Sequence, residues 1–204
     1  MHHGHDIKTT EKIYPLDITV FATSFEAMTG SLLKSIIEGR KVLKLKDAWY
    51  AGPCNYLGSP VPGFPNMLTV TGPGCPSVLC NVPTAIEHHV DWITKYIAPM
   101  QAQGVQRIEA DEKAADSWVP EVNEAANATL LPSATHSCYV GANVPGKPRV
   151  SLPYAGGFAK YRKIVEERTQ AGIRVSLSVP NILLPHQHTT IHIHHTPCDE
   201  RRCR

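Results

Sequence analysis

The stretch that decides the fold of this chain is Gly63-Phe-Pro-Asn-Met-Leu-Thr-Val-Thr-Gly-Pro-Gly-Cys-Pro-Ser-Val-Leu-Cys-Asn81. Its pattern predicts a short apolar strand over residues 66–71, a glycine turn over 72–74, and an amphipathic helix that begins between Asn81 and Thr84. A strand, a turn and a helix N-terminus in that order expose several backbone N–H groups at one point, with the positive end of the helix dipole behind them. The stretch therefore predicts a place that holds the polar edge of a cofactor, without supplying a catalyst.

The composition indicates a globular protein of one or two small domains. Of the 204 residues, 42% are hydrophobic and 19% are charged, which is enough apolar material for a core and excludes global disorder. The net charge of +2 is too small to indicate binding to nucleic acid or to an acidic membrane. The chain has no run of about 18 apolar residues, and its first residues lack the apolar core of a signal peptide, so we expect a cytoplasmic protein. Its six cysteines show no CxxC spacing and are expected to be reduced thiols.

The first half of the chain alternates strand and helix patterns. Residues 7–14 suit a hairpin, 16–21 form a β-branched run that predicts a buried strand, and 28–37 suit a short helix. Residues 39–63 are rich in glycine, proline and aromatic residues, which predicts an ordered surface loop. The helix after the central stretch carries a predicted apolar stripe and is expected to stop at Pro99; the stripe comprises Ile86, Val90, Ile93 and Ile97.

The second half predicts one more strand and two helices. Residues 105–110 read as a strand, and Asp111 is placed to cap the helix that follows. The buried face of that helix is predicted to comprise Ala115, Trp118, Val122 and Ala126. Residues 131–157 are loop-like, and 159–168 form a last helix.

From about Gly172 the character of the sequence changes, which predicts two regions, 1–178 and 179–204. The second region is rich in histidine, and we expect it to be disordered and to hold no physiological metal.

Several reactive residue types have ordinary structural explanations. Cys75 and Cys80 lie near a helix N-terminus, where the pKa of a thiol can fall, but the small-residue loop already accounts for them. His88 and His89 are predicted to lie at the surface or at an interface. Tryptophans 49, 92 and 118 are predicted to pack in the core. No catalytic residue and no metal ligand is assigned.

Four segments together resemble the C-terminal part of a Baeyer–Villiger monooxygenase of the cyclohexanone and phenylacetone monooxygenase type, within the flavin-containing monooxygenase superfamily. They are Asp17-Ile-Thr-Val-Phe-Ala-Thr-Ser-Phe-Glu-Ala-Met-Thr-Gly30, the stretch 63–81, Ile86-Glu-His-His-Val-Asp-Trp-Ile93 and Tyr139-Val-Gly-Ala-Asn-Val-Pro-Gly-Lys-Pro148. The resemblance runs in order from about residue 6 to about residue 173.

This resemblance implies an α/β fold that is a fragment of a flavoprotein with two dinucleotide-binding domains. The chain would supply the closing part of the FAD domain and a helical and looped C-terminal segment. Such enzymes carry one GxGxxG loop for FAD and a second glycine-rich loop for NADP, and neither occurs in these 204 residues.

The resemblance also implies the roles of particular residues. Those that would bind FAD or NADP are Thr23, Ser24, Glu26, Gly72, Pro73, Gly74, Asn81, Val82, Cys138 and Lys147. Those that would line the substrate pocket are Ser77, Val78, Leu79 and Val82. In the family Lys147 would lie on a loop that closes over the nicotinamide nucleotide.

Some of these positions depart from the family pattern. Ser24 replaces a glycine, Glu26 adds a methylene to an aspartate, and Cys138 replaces a tryptophan that contacts the NADP ribose. A thiol has neither the indole surface nor a strong donor. Cys75 and Cys80 likewise replace serines.

By resemblance the function is FAD- and NADPH-dependent insertion of one oxygen from O2 into a small-molecule ketone, giving an ester or lactone. We expect this chain alone to be inactive. One alternative is a non-catalytic binding or regulatory remnant that associates with an intact homologue. Another is a mis-predicted gene fragment, which transcript sequencing across both ends would reveal.

Overall fold

The computed structural model describes residues 7–21, 26–172 and 175–178 of the chain. The helices of this part are α1 (Gly30–Lys34), α2 (Leu45–Ala48), α3 (Val82–Ala102), α4 (Glu112–Asn127) and α5 (Phe158–Gln170). The strands are β1 (Ile7–Lys8), β2 (Ile13–Tyr14), β3 (Arg107–Ala110) and β4 (Val175–Ser178). The mixture of helices and strands confirms the predicted α/β class.

The main core lies among α3, α4 and α5. Trp118 of α4 stacks on Tyr154 with ring centroids 5.4 Å apart, and Tyr161 of α5 lies 6.3 Å from Trp118. All three side chains are buried. Large aromatic side chains each remove considerable apolar area from water, so this cluster is a main source of stability.

Helix α4 forms as its sequence predicts. The Asp111 carboxylate accepts a hydrogen bond from the Ala114 N–H at 3.0 Å and caps the first turn. The predicted buried face is confirmed, because Ala115, Trp118, Val122 and Ala126 are all buried. Pro120 lies within the helix on its exposed side.

A smaller core orders the loop over residues 39–63. It contains Leu45 and Trp49 from the region of α2, together with Val61 and Phe64. The Trp49 indole N–H also donates to the Cys54 carbonyl at 3.1 Å. The predicted ordered loop is confirmed, with α2 and a short 3-10 turn (Arg40–Val42) within it.

The described strands form two small antiparallel pairs. Ile7 lies opposite Tyr14, which confirms the predicted hairpin. Strand β3 pairs with β4, with Arg107 opposite Ser178. The sequence pattern assigns residues 175–178 no partner, so this pairing is a finding of the structure.

Two predicted strands are absent from the described part of the chain. Residues 16–21 are irregular, and Ile18, Val20 and Phe21 are each at least 80% exposed. A buried strand needs neighbours for its backbone groups, and the described strands place none there. Residues 66–71 make only one isolated bridge, between Pro60 and Leu68. Left-handed φ values of 63° at residue 66 and 51° at residue 71 prevent a continuous extended run.

Helix α3 buries a face that the aliphatic pattern does not predict. Ile86, Val90 and Ile97 of the predicted stripe are 40–46% exposed. The buried face carries aromatic residues at helical spacing instead; it comprises Ala85, His89, Trp92, Tyr96 and Met100. The indole of Trp92 and the hydroxyl of Tyr96 both bond to the Thr169 hydroxyl of α5, which holds this face inward.

The C-terminal end of α3 differs from the prediction. The helix continues past Pro99 to Ala102, so the predicted stop at the proline is wrong. In the described part of the chain, none of the helices combines the length and the apolar character needed to cross a bilayer. The histidine-rich region 179–204 lies outside the described residues, and the boundary at 178 stays a prediction.

Candidate functional site

The glycine turn of the central stretch is buried and bonded to three other segments. Asn55 donates a side-chain hydrogen bond to the Pro73 carbonyl at 2.6 Å, and the Trp118 indole donates to the Gly74 carbonyl at 3.2 Å. The Gly74 N–H donates to the Leu152 carbonyl at 2.6 Å. A Cβ at Gly74, where φ is +82°, would lie 2.9 Å from the Trp118 indole nitrogen, so the position requires glycine. The Gly74 N–H is committed to the protein and is not a free donor for a ligand.

A buried histidine holds the residue before this turn. The Thr71 N–H donates to Nδ1 of His89 at 2.7 Å, so Nδ1 carries no proton. Nε2 therefore carries the proton and donates to the Tyr161 hydroxyl at 2.6 Å, and that hydroxyl donates to the Leu57 carbonyl at 2.7 Å. The chain of bonds joins the turn to α3, α5 and the loop that contains Leu57.

The state of this histidine is set by its surroundings. Burial, and to a smaller extent the neighbouring charge of His88, lowers the pKa of His89 to about 4. The ring is therefore neutral at pH 7, as the bond from Thr71 requires. Thr71 has a left-handed φ of 51°, which is strained for a β-branched residue. The bond to His89 helps to hold that strained backbone.

His88 and His89 were both predicted to lie at the surface or at an interface, and a surface position is wrong for His89, which is 1% exposed. His88 is half-buried and contacts Phe158 and Tyr161 edge-on, with ring centroids 5.7 and 5.9 Å away. Helical spacing from Trp92 is the signal that could have placed His89 on the inner face. The sequence offers no signal for its partner Tyr161, which is 72 residues away.

The predicted substrate-lining residues lie between the turn and α3. Residues Ser77–Leu79 form a 3-10 turn in which Ser77 is buried, whereas Val78 and Leu79 are 46% and 41% exposed. Asn81 is exposed and Val82 is half-buried at the start of α3. The structure therefore presents an apolar surface at the N-terminal end of α3.

The two cysteines of the central stretch are not placed as nucleophiles. Burial raises the pKa of Cys75 to about 12, and burial also raises the pKa of Cys80. A thiol that stays protonated at pH 7 is a poor nucleophile. The described cysteines are free thiols, and the described residues contain no group of three His, Cys, Asp or Glu placed to hold a metal.

A second group of predicted residues meets around Glu26. The Lys147 ammonium forms an ion pair with the Glu26 carboxylate and donates to the Thr29 hydroxyl at 2.9 Å. The Thr29 hydroxyl donates to the same carboxylate at 2.5 Å. A Cβ at Gly30 would lie 2.7 Å from the Glu26 Cβ, so glycine lets the carboxylate fold back over α1. The structure thus brings together two residues, 121 positions apart, that were each predicted to bind cofactor.

The protonation of Glu26 follows from these contacts. Burial is the largest single effect and opposes ionisation, but the hydrogen bonds from Lys147 and Thr29 and the charge of Lys147 together lower the pKa of Glu26. The ion pair therefore stabilises the fold above the ordinary glutamate pKa. Its contribution is lost as the pH falls through the lowered folded value.

We expect Glu26→Gln to lower the free energy of unfolding by about 1–2 kcal/mol at pH 7, because a half-buried ammonium loses its counter-charge. Urea unfolding measures the effect. Glu166→Gln is the matched control: its pair with Arg162 is about half exposed on both sides, so we expect a loss of less than about 0.5 kcal/mol. Equal losses in the two variants would contradict the assignment.

Cys138, Thr23 and Ser24 are the remaining residues that were predicted to bind a cofactor. Cys138 is half-buried at the start of a 3-10 turn (Cys138–Val140) that leads into the Lys147 loop. The Leu152 N–H donates to the Tyr139 carbonyl at 2.8 Å, which links that loop to the glycine turn through Leu152. Thr23 and Ser24 lie outside the described residues.

The start of α3 leaves two backbone donors that the helix itself does not use. The Ala85 N–H bonds to the Asn81 carbonyl at 3.1 Å, which leaves the first-turn N–H groups of Val82 and Thr84 outside the helix's own ladder. Pro83 has no N–H. These two donors and the exposed apolar residues beside them fit the ring of a flavin. A diphosphate needs a glycine-rich loop, and the 204 residues contain no GxGxxG sequence.

Curated relatives of the chain are monooxygenases. It is 40% identical over 163 residues to an acetone monooxygenase (methyl acetate-forming) of Gordonia sp. strain TY-5, covering 79% of this chain and 30% of that protein. It is 38% identical over 159 residues to a Baeyer–Villiger monooxygenase of Pseudooceanicola batsensis, covering 78% and 29%. The chain therefore spans about a third of the length of the relatives it matches. No family model matches the sequence.

Solved structures agree with these relatives. An oxidized steroid monooxygenase bound to NADP superposes with a TM-score of 0.74 at 44% identity, covering 84% of this chain and 32% of that one. An OTEMO complex with FAD and NADP superposes with a TM-score of 0.74 at 32% identity, covering 82% and 31%.

Proposed function

We propose that this chain, which is homologous to part of the Baeyer–Villiger monooxygenases, forms the flavin- and substrate-facing wall of an FAD- and NADPH-dependent enzyme that inserts one oxygen atom from O2 into a ketone. The observation that carries the proposal is the match to the acetone monooxygenase at 40% identity over 79% of the chain. The flavin cofactor carries out the oxidation of the ketone, so the role of the protein is to position the cofactor and to exclude water.

Three places in the structure support particular roles. The N–H groups of Val82 and Thr84 would bond the polar edge of the flavin ring. The apolar side chains of Val78 and Leu79 would contact the ketone. Lys147 would meet the NADP phosphates when its loop closes, and this requires it to leave Glu26 or to share its ammonium with that carboxylate.

The dinucleotide-binding parts of such an enzyme must come from other residues than these. The glycine-rich loops belong to the two-thirds of the relatives that this chain does not match. The exposed stripe of Ile86, Val90 and Ile97 on α3 supports contact with that missing part, since apolar surface of this kind marks an interaction site. We propose that the stripe packs on the polypeptide that carries the dinucleotide-binding domains. A cytoplasmic location stays a prediction.

We expect the purified 204-residue chain to be colourless and to oxidise no NADPH in the presence of a ketone. A ring-edge contact without sites for the diphosphate and adenosine captures too little binding free energy to retain FAD. Visible absorbance after gel filtration with excess FAD measures retention. Stoichiometric bound flavin with ketone-dependent NADPH oxidation by this chain alone would contradict the proposed division of the site.

A second candidate function is a non-catalytic partner of an intact homologue. The observation that favours it is the exposed apolar segment over residues 16–21, which suits pairing with a sheet edge. Pull-down with an intact relative tests it, using a variant with serine at positions 18, 20 and 21 as the control. Capture by the unmodified chain and loss in the serine variant would support this candidate, and equal capture of both would exclude it.

A further inference from the structure

A cavity of about 380 Å³ lies between α2, the loop over residues 51–55 and the middle of α4. This volume is in the range of small-molecule sites. The walls are mainly apolar, and the apolar side chains include Ala48, Ala51, Pro53, Val119, Pro120 and Val122. Pro73 and Gly74 of the central stretch, which the resemblance predicts to bind a cofactor, also line this cavity.

One formal charge lies in the lining. Among the described residues that surround the cavity, Asp116 is the only acidic or basic side chain. Burial, followed by the charge of Asp116, raises the pKa of Cys54 to about 11, so that thiol is neutral. The thiol lies 3.7 Å from the Asp116 carboxylate. Because a thiol is a weak donor, the carboxylate keeps the capacity to accept a stronger hydrogen bond.

A second acceptor lies in the wall. Asn55 is 3% exposed, and its amide nitrogen is used in the 2.6 Å bond to the Pro73 carbonyl. The opposite end of that amide, Oδ1, lies beside Gly74 in the lining, 3.2 Å from where a Cβ on that glycine would be. The bond to Pro73 holds the amide in this orientation, so the residues of the wall include a fixed acceptor as well as a carboxylate.

We propose that this cavity binds a small organic ammonium ion, with its apolar group between the prolines and valines and its N–H donors on Asp116 and Asn55. The chemistry of the lining favours such an ion over the cofactors and the ketone of the proposed function. A carboxylate without a neighbouring cation in the lining repels phosphate groups, which excludes the diphosphate of FAD and the phosphates of NADP. A ketone offers only an acceptor, so it would leave the Asp116 carboxylate and the Asn55 amide oxygen without a donor.

Titration of the isotope-labelled 204-residue chain with phenethylamine, followed by NMR, tests the proposal. We expect saturable shifts of the Trp118 indole N–H and the Asn123 side-chain amide, both in residues that line the cavity. Phenethyl alcohol has the same shape without the charge, and it should bind the unmodified chain about tenfold more weakly than phenethylamine does. Phenethylamine should likewise bind the Asp116→Asn variant about tenfold more weakly than it binds the unmodified chain. Phenylacetate should give no saturable shift.

Two variants locate the site. Ala51→Trp fills the cavity from its exposed rim and should abolish the phenethylamine shifts. Glu124→Gln removes an exposed carboxylate of the same helix outside the lining and should leave them unchanged. Equal affinity for the amine and the alcohol, or saturable binding that survives Ala51→Trp, would overturn the proposal. Flavin retention is measured in a separate experiment. A lack of amine binding would therefore not contradict the proposed function, and a failure of the proposed function would not affect the amine-binding result.

Discussion

Replacing His89 with leucine is expected to lower the free energy of unfolding by about 2–4 kcal/mol. The leucine fills similar space but leaves the Thr71 N–H and the Tyr161 hydroxyl without their partner. Each buried polar group left without a hydrogen bond costs about 1–3 kcal/mol. Urea unfolding at pH 7, followed by tryptophan fluorescence, measures the loss.

Two further variants separate the hydrogen bonds from packing. Glutamine at position 89 keeps an acceptor and a donor, so His89→Gln should lose less than half as much as the leucine variant. His136→Leu is the surface control, because His136 is exposed, and it should change stability by less than about 0.5 kcal/mol. If the leucine and glutamine variants were equally unstable, the contribution of His89 would come from shape alone.

The same residue predicts a pH dependence. The pKa of His89 falls from an ordinary value near 6.5 to about 4 in the folded protein, so folding disfavours the protonated ring. Its contribution is complete above about pH 6.5 and is lost progressively as the pH falls towards 4, by about 3 kcal/mol in total. The stability of His89→Gln should fall less steeply over that interval. Parallel pH profiles for the two proteins would show that the ring is not buried as neutral imidazole.

Changing the exposed stripe of α3 to glutamate should weaken the proposed association with a polypeptide that carries the dinucleotide-binding domains. Ile86, Val90 and Ile97 are exposed here, and burying such side chains contributes about 1.5–3 kcal/mol each when burial is complete. The triple glutamate variant should therefore weaken the complex at least about a hundredfold. Sedimentation of this chain with a polypeptide that carries the other two-thirds of a relative measures the affinity.

The control for this prediction adds charge elsewhere on the same helix. Ala98 and Ala102 are exposed and lie outside the stripe, so their double glutamate variant should bind as the unmodified chain does. The triple variant should itself stay folded, because the buried face of α3 is untouched. Association that survives the triple change would place the contact on another surface.

The parts of the fold that could be predicted from sequence are those set by local rules. Helix α4 follows from the cap at Asp111 and from apolar residues at helical spacing, both of which act within a few residues. The hairpin over residues 7–14 is also local. These elements form as predicted because the residues that specify the cap, the helical spacing and the hairpin are close in sequence.

Where contacts are distant, the pattern misleads. The aliphatic stripe of α3 is the more hydrophobic face, yet the aromatic face is buried because α5 offers hydrogen-bonding partners such as Thr169, 77 residues from Trp92. Residues 16–21 have strand propensity but lack a described neighbour to pair with. In both cases the sequence pattern predicts burial, but the described residues contain no neighbour that buries these side chains.

In the candidate site, too, individual residues could be predicted from the sequence, whereas the contacts between distant residues could not. The resemblance names Glu26 and Lys147 separately, and only the structure shows that they bond to each other. Asn55 and Tyr161 carry no motif, and they matter because they fix backbone groups around the glycine turn. The predicted cofactor and substrate roles themselves stay predictions.

We propose that this chain contributes half of a flavin site that other residues complete. This claim is tested most directly by mixing the 204-residue chain with the polypeptide that supplies the remaining two-thirds of the Gordonia acetone monooxygenase, adding FAD, and measuring flavin absorbance in the co-purified complex. We predict a coloured complex that oxidises NADPH only when acetone is present, whereas this chain alone is colourless and neither part alone shows acetone-dependent NADPH oxidation. A stable complex that retains no flavin would contradict the claim.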